Sequence, residues 1–191
     1  MIDHDRLAAL EARLALLEDK EKIREVLSRY SFNVDLGRLD EYIDGWDDKA
    51  VLDIGVTPII LQSTDSEARD ISGTRDGNAI SGKEALRHML ADPNGANKKY
   101  IENRSLHTVC NLHIDVDGDA AWAECYSIVF IRVEDGMKPS TAGYNHWDLR
   151  RVAGDWLVTR RTRRDVGGPE WGGETIKSYL KHQPTPHKAA N

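Results

Sequence analysis

Two residues of this 191-residue chain have the type and setting for proton transfer. Asp35 falls at the end of a helical pattern, where the helix dipole disfavours a carboxylate. If it also faces an apolar cavity, both effects raise its pKa, as suits a general base or the orienter of one. His107 opens the strand-like run His107-Thr108-Val109-Cys110-Asn111-Leu112-His113-Ile114. A strand-end histidine can face a cavity, and it titrates near neutrality. Arg160, Arg161, Arg163 and Arg164 form a third feature. Strand alternation sends Arg161 and Arg163 one way and Arg160 and Arg164 the other. If Leu157, Thr159 and Arg161 share the inner face, Arg161 can meet an anionic or carbonyl oxygen. Taken singly, each feature also has a structural explanation: a turn aspartate, an exposed histidine, an ion-pair network.

Other chemistry is not written in the sequence. His107, Cys110 and His113 are evenly spaced, but in a regular strand 107 and 113 share a face about 20 Å apart while Cys110 points away. They do not form a zinc site, and Asp115-Val116-Asp117-Gly118-Asp119 reads as a turn, not a calcium loop. There is no glycine-rich phosphate loop, G-x-S-x-G elbow or H-E-x-x-H. We expect neither metal nor cofactor. The net charge of −6 argues against nucleic acid as a partner. The absence of a long apolar run and of a basic, then apolar, leader argues for a cytoplasmic protein with no membrane contact. Two cysteines make no disulfide framework.

The elements that must hold these residues follow from periodicity. Leu7, Leu10, Leu14 and Leu17 recur at alternating spacings of three and four. The stripe then shifts to Ile23, Val26, Leu27, Tyr30 and Val34, with Leu36-Gly37 as the stop. Residues 5–18 can therefore pack on a neighbouring subunit and 20–35 on the home core; the alternative is one bent helix covering the monomer. Leu39, Tyr42, Ile43 and Trp46 predict a short second helix, and residues 50–61 a strand. Residues 62–79 read as a loop. Ser81-Gly82-Lys83-Glu84 fits a capping box for a third helix, and 93–104 reads as another loop. Strands are expected at 105–116, 120–133, 143–152 and 155–164, with turns at Asp117-Gly118-Asp119 and Ala153-Gly154-Asp155 and a longer loop from Glu134 through Pro139. A last short helix is expected at 174–181, followed by a loose tail from Gln183. Helices first and a strand meander after give the α+β class: helices on one face of a curved antiparallel sheet, leaving room for a small ligand.

Three stretches resemble the SnoaL-like branch of the nuclear transport factor 2-like (NTF2-like) superfamily. They are Lys20-Glu21-Lys22-Ile23-Arg24-Glu25-Val26-Leu27-Ser28-Arg29-Tyr30 on to Asp35, Ser105-Leu106-His107-Thr108 through Val116-Asp117-Gly118-Asp119-Ala120, and Leu149-Arg150-Arg151-Val152-Ala153-Gly154-Asp155-Trp156-Leu157-Val158 with its trailing arginines. The resemblance implies a SnoaL-like domain over 18–165, a helical extension at 1–17 and an extension or tail at 166–191. It implies a cone-shaped α+β barrel with three helices on the concave face of its sheet, a deep apolar pocket, and a homodimer or homotrimer.

Asp35 and His107 fall where an Asp–His dyad stands in scytalone dehydratase, bile-acid dehydratase and hexachlorocyclohexane dehydrochlorinase. Tyr30 resembles a pocket tyrosine of the two dehydratases, and Arg161 a pocket arginine of the dehydrochlorinase. The 62–79 loop departs from the compact dehydratases. The resemblance thus implies a cofactor-independent lyase of dehydratase type acting on a small hydrophobic substrate, such as a hydroxylated aromatic, polyketide or steroid-like molecule. Asp35, His107 and Tyr30 are the expected catalytic set. Trp46, Tyr42, Asn111, Tyr126, Trp147 and Arg161 are the expected substrate contacts. Tyr144 is a further candidate donor, and Phe32 and Trp122 are further candidate wall residues. C–C bond cleavage of a lignin-derived diaryl compound, isomerisation or cyclisation, a non-catalytic binding module and an oxygenase small subunit stay open.

Overall fold

A computed structural model describes residues 4–55, 75–76, 79–168 and 171, with backbone alone for 75–76. Helix α1 (His4–Asp35) leads into α2 (Leu39–Asp44) and strand β1 (Trp46–Asp53). Strands β2 (Arg75–Asp76) and β3 (Ala79–Ser81) precede α3 (Lys83–Ala91) and a π-helical turn (Asn97–Ile101). Then come β4 (Ser105–Asp117), β5 (Ala120–Val133), β6 (Gly136–Val152) and β7 (Asp155–Asp165).

The seven strands form one curved sheet in the order β2-β3-β1-β7-β6-β5-β4. The expected α+β class is what forms, with two corrections. The sheet is open at β2 and β4 and does not close into a barrel. It is also not wholly antiparallel, because β1 pairs with β7 in parallel. The long β4–β7 meander is joined by tight turns: Ala153 and Gly154 both take positive φ, 52° and 95°, the left-handed pair a two-residue hairpin needs.

Several boundaries move. Strand β6 begins at Gly136, where Val133 already pairs with Gly136, so Glu134-Asp135 is a tight turn and not the start of a longer loop. The capping box does not form. Ser81 belongs to β3, and the residue before α3 is Gly82 at φ 92°, with no side-chain cap. Within 93–104 the chain makes a π-helical turn. Trp46 starts β1 and does not end α2. Of the expected 50–61 strand, β1 stops at Asp53 and residues 56–61 lie outside the described residues, as do most of the 62–79 loop, the 174–181 helix and the tail from Gln183. Residues 75–76 and 79 are in strands.

Helix α1 ends as its sequence dictates. Gly37 takes φ 65° and the Arg38 amide donates to the Asn33 carbonyl at 2.9 Å. The two halves of α1 differ sharply. Ile23, Leu27 and Val34 are buried in the core with Trp46, Leu52, Leu86, Trp147, Leu149 and Trp156, whereas every residue from 4 to 18 is exposed. The changeover is at Asp19, whose carboxylate accepts two hydrogen bonds from Arg151, each 2.7 Å, and one from Trp156 Nε1 at 3.2 Å. The bent helix covering the monomer is not what forms. Among the described residues no helix is long and apolar enough to cross a membrane.

Candidate active site

The last residue of α1 and the start of β4 meet. Asp35 is 72 residues from His107 in sequence, yet its Oδ1 lies 2.6 Å from His107 Nδ1, and its Oδ2 accepts the His107 backbone N–H at 2.7 Å. Ser105 Oγ also donates to Oδ1. The helix end is tied down as well, since the Asn103 amide, just beyond the π-helical turn, donates to the Asp35 carbonyl at 2.6 Å. Both side chains of the pair are about nine-tenths buried.

Burial pushes the Asp35 carboxyl upward, but the hydrogen bonds from His107 and Ser105 outweigh it, and the net direction is down. This corrects the expectation of a raised pKa. Donors from β4 answer both the burial and the helix dipole. Asp35 is therefore held as a carboxylate. It fixes the imidazole through Nδ1, while Nε2 has no hydrogen-bond partner among the described residues.

Tyr30 sits one helical turn and a residue before Asp35. Its ring stands edge-on to the His107 ring at 6.5 Å and to the Trp147 ring at 4.9 Å. Tyr42 and Trp46 continue this aromatic cluster at 5.2 and 6.4 Å from Tyr30. Tyr42 is fully packed, and burial holds its phenol well above the usual range.

Arg161 completes the group. Its guanidinium lies 4.6 Å from the Tyr30 ring and 4.7 Å from the Trp147 ring. It donates from Nε and a terminal nitrogen to Asn145 Oδ1 at 3.0 and 2.8 Å, and from the other terminal nitrogen to the Tyr30 hydroxyl. Arg161 is 5% exposed, and no carboxylate among the described residues pairs with it. Its neighbours on β7 differ: Arg163 pairs with Asp165 and Arg164 with Asp53. A buried cation held only by neutral groups is costly, and it leaves a positive potential beside Tyr30 and His107.

The structure thus brings Asp35, His107, Tyr30, Arg161, Trp147, Trp46 and Tyr42 together. It does not bring Asn111 or Tyr126. A β-bulge between Cys110 and His113 places Asn111 at φ 56°, exposed, where the ladder is interrupted. The extra residue reverses the side-chain alternation, so His107, opposite Val129, and His113, opposite Glu124, lie on different faces. This overturns the shared face assumed for those two histidines. Tyr126 is 41% exposed on the far face beside Tyr144, whose hydroxyl donates to Glu124 at 2.5 Å. Trp122 is also on that face, stacked near His146, and Phe32 is exposed. A second bulge, at Thr159, breaks the assumed Leu157-Thr159-Arg161 face: Trp156 and Val158 are the buried residues, and Arg161 still points inward.

Two supporting residues were missed. Ser105 is two positions before His107, so strand alternation alone could have placed it on the same face. Asn145 shares its face with Trp147 in the same way.

A groove of about 430 Å³ runs along α1, α2 and the start of β7. Tyr30, Tyr42, Trp46 and Trp156 line it, with Lys22, Arg29, Glu25 and Asp155 among its charged residues. Neither Asp35 nor His107 lines it. Tyr30 is the residue shared between groove and pair.

These features agree with what comparison shows. The SnoaL-like domain family matches residues 15–162. The chain belongs to that family. Among solved structures, this SnoaL-like protein is similar to an NTF2-like protein with a cystatin-like fold from Novosphingobium aromaticivorans. The two share 24% identity over 94% of this chain and 98% of the other, at a TM-score of 0.70. A candidate scytalone dehydratase from the same organism shares 15% identity over 78% of this chain and 85% of its own, at 0.55. A candidate aromatic ring hydroxylase, also from that organism, shares 20% over 78% and 90%, at 0.57. Such identities show the fold alone. A search of curated proteins returns no match.

Proposed function

We propose that this SnoaL-like protein is a cofactor-independent lyase of dehydratase type, with Asp35 and His107 as its base. The observation that carries the reading is the 2.6 Å contact between Asp35 and His107 Nδ1, which leaves Nε2 as the proton acceptor. In this reading Nε2 takes the proton from the carbon beside a substrate carbonyl. Tyr30 and Arg161 stabilise the enolate oxygen that forms. The enolate then expels the hydroxyl on the neighbouring carbon. The C–O bond breaks as the C=C bond forms, and the imidazolium returns its proton to the departing oxygen, giving water. Asp35 stays ionised throughout and stabilises the imidazolium. The aromatic cluster around Tyr30 favours a hydroxylated aromatic ketone, polyketide or steroid-like substrate.

A panel of β-hydroxy ketones with aromatic or fused-ring bodies, incubated with the protein and followed by mass spectrometry, tests this. Loss of one water by the wild type, none detectable with His107→Ala and a strongly slowed loss with Asp35→Asn, each with the fold intact, is the expected result. Turnover that conserves mass would show an isomerase or cyclase instead.

A second reading, a non-catalytic small-molecule binding module, is favoured by one observation. The groove is lined by Tyr30 but by neither Asp35 nor His107. Ligands that bind the wild type and His107→Ala equally, without turnover, would establish it.

A further inference from the structure

The exposed half of α1 has no role in the site. It runs from His4 to Glu18, about 22 Å of helix beyond the Asp19 anchor. It is rich in alanine (Ala8, Ala9, Ala12, Ala15), which favours helix, but a segment of this length is marginal alone. It carries an apolar stripe that nothing among the described residues covers. Leu7, Leu10, Leu14 and Leu17 are 41%, 51%, 57% and 64% exposed. At about 100° per residue, this stripe points about 150° away from the side of α1 that Ile23, Leu27, Tyr30 and Val34 bury. The described part of the home domain packs on the opposite side of the helix.

The charges beside the stripe say what does. With Leu7 and Leu14 at the first heptad position and Leu10 and Leu17 at the fourth, Arg6, Arg13 and Lys20 take the last position. Glu11 and Glu18 take the fifth. One flank is wholly basic, and the other carries both glutamates after His4. Glu11 and Arg13 have no oppositely charged residue three or four places away on their own helix, so no intrahelical pair satisfies them. In a parallel, in-register pair of such helices the last position of one heptad faces the fifth position of the partner's next heptad. Arg6 then meets Glu11 and Arg13 meets Glu18 of the other copy, twice over. An antiparallel pair would set arginine against arginine and glutamate against glutamate. The flanking charges sit directly beside the leucines, which leaves the narrow seam of a two-stranded coil.

We infer that residues 4–18 of two copies of this chain wind together as a parallel, two-stranded coiled coil, making the protein a dimer. Because each leucine stripe faces away from its own domain, the two domains lie on the outer sides of the coil and do not collide. The inference is independent of the proposed activity.

The test is the oligomeric state of the full chain by sedimentation equilibrium, with four variants. The wild type should be a dimer at micromolar concentration. Leu10→Glu/Leu14→Glu should be a monomer with an unchanged far-domain fold, since both residues are exposed. Arg6→Glu/Arg13→Glu and Glu11→Lys/Glu18→Lys should each weaken dimerisation at least tenfold, and an equimolar mixture should restore it as a heterodimer. Leu7→Cys in a Cys110→Ser background should cross-link to a covalent dimer on mild oxidation, because parallel register sets residue 7 opposite itself. A monomeric wild type, a trimer, a dimer untouched by Leu10→Glu/Leu14→Glu, or no cross-link at residue 7 would each overturn the proposal.

Discussion

Compare the two histidines that sit beside carboxylates on opposite faces of the sheet. On the side that receives α1, His107 touches Asp35 through Nδ1 at 2.6 Å and keeps Nε2 without a partner among the described residues. On the far side, His146 lies between two acids: Nε2 is hydrogen-bonded to Asp148 at 3.1 Å, and Nδ1 is buried 3.7 Å from Glu124, beyond hydrogen-bond distance. Trp122 stacks near its ring, and Glu124 also receives the Tyr144 hydroxyl. Both faces use the same residue types, a histidine, carboxylates and a tyrosine. Only one sets an imidazole nitrogen away from any carboxylate, backs the other nitrogen with an ionised acid, and places a buried, carboxylate-free cation nearby. A general base needs that open nitrogen. The far-face histidine has an acid at each nitrogen and is structural in this account.

The comparison can be broken by substitution. The largest effect is expected for His107→Gln, which removes the base: kcat/KM for the eliminated substrate should fall by about 10³-fold or more. Asp35→Asn should cost about 10²- to 10³-fold, mostly in kcat, because the imidazole loses its orienting charge. The same variant has a stability signature. The folded carboxyl is held below the ordinary aspartate value of 3.8. Its contribution is therefore complete above that pH and is lost as pH falls through the folded value. Urea midpoints measured from about pH 6 down to about pH 2 should show a steeper acid decline for the wild type than for Asp35→Asn.

Arg161→Met should lower kcat by about 10²-fold if the guanidinium stabilises an oxyanion, and steady-state kinetics should place the loss in kcat more than in KM. An unchanged kcat would make Arg161 a packing residue between Tyr30 and Trp147. The smallest effect is expected at His146→Gln, with turnover within about twofold of wild type. A loss there comparable to that of His107→Gln would erase the distinction between the two faces.

Much of this site was legible in the residues. The stop at Leu36-Gly37 placed Asp35 at a helix end, and the β-type run after Ser105 placed His107 at a strand start. What the sequence could not show was the parity of the strands beyond them. Single-residue bulges near Asn111 and at Thr159 reverse which side chains face the helices, and neither carries a glycine to announce it. Asn111 was misplaced for that reason; Tyr126 lies on the unbulged β5, where Ala121, Ala123, Cys125 and Val129 take the inner face and Tyr126 the outer. The direction of the Asp35 shift was misjudged because the helix dipole is a local feature, whereas its opposing donors, Ser105 and His107, come from β4. Ser105 was readable from alternation with His107. Asn145 needed the partner strand, since its significance lies in holding Arg161 across the sheet.

The central claim is that His107 Nε2 removes a proton from carbon. Proton NMR in deuterium oxide measures this directly, by following the hydrogen beside the carbonyl of a hydroxylated aromatic ketone with wild type, His107→Gln and His146→Gln. The account predicts exchange or elimination with wild type and His146→Gln, and a silent His107→Gln that keeps its fold. Proton loss that persists in His107→Gln would contradict it.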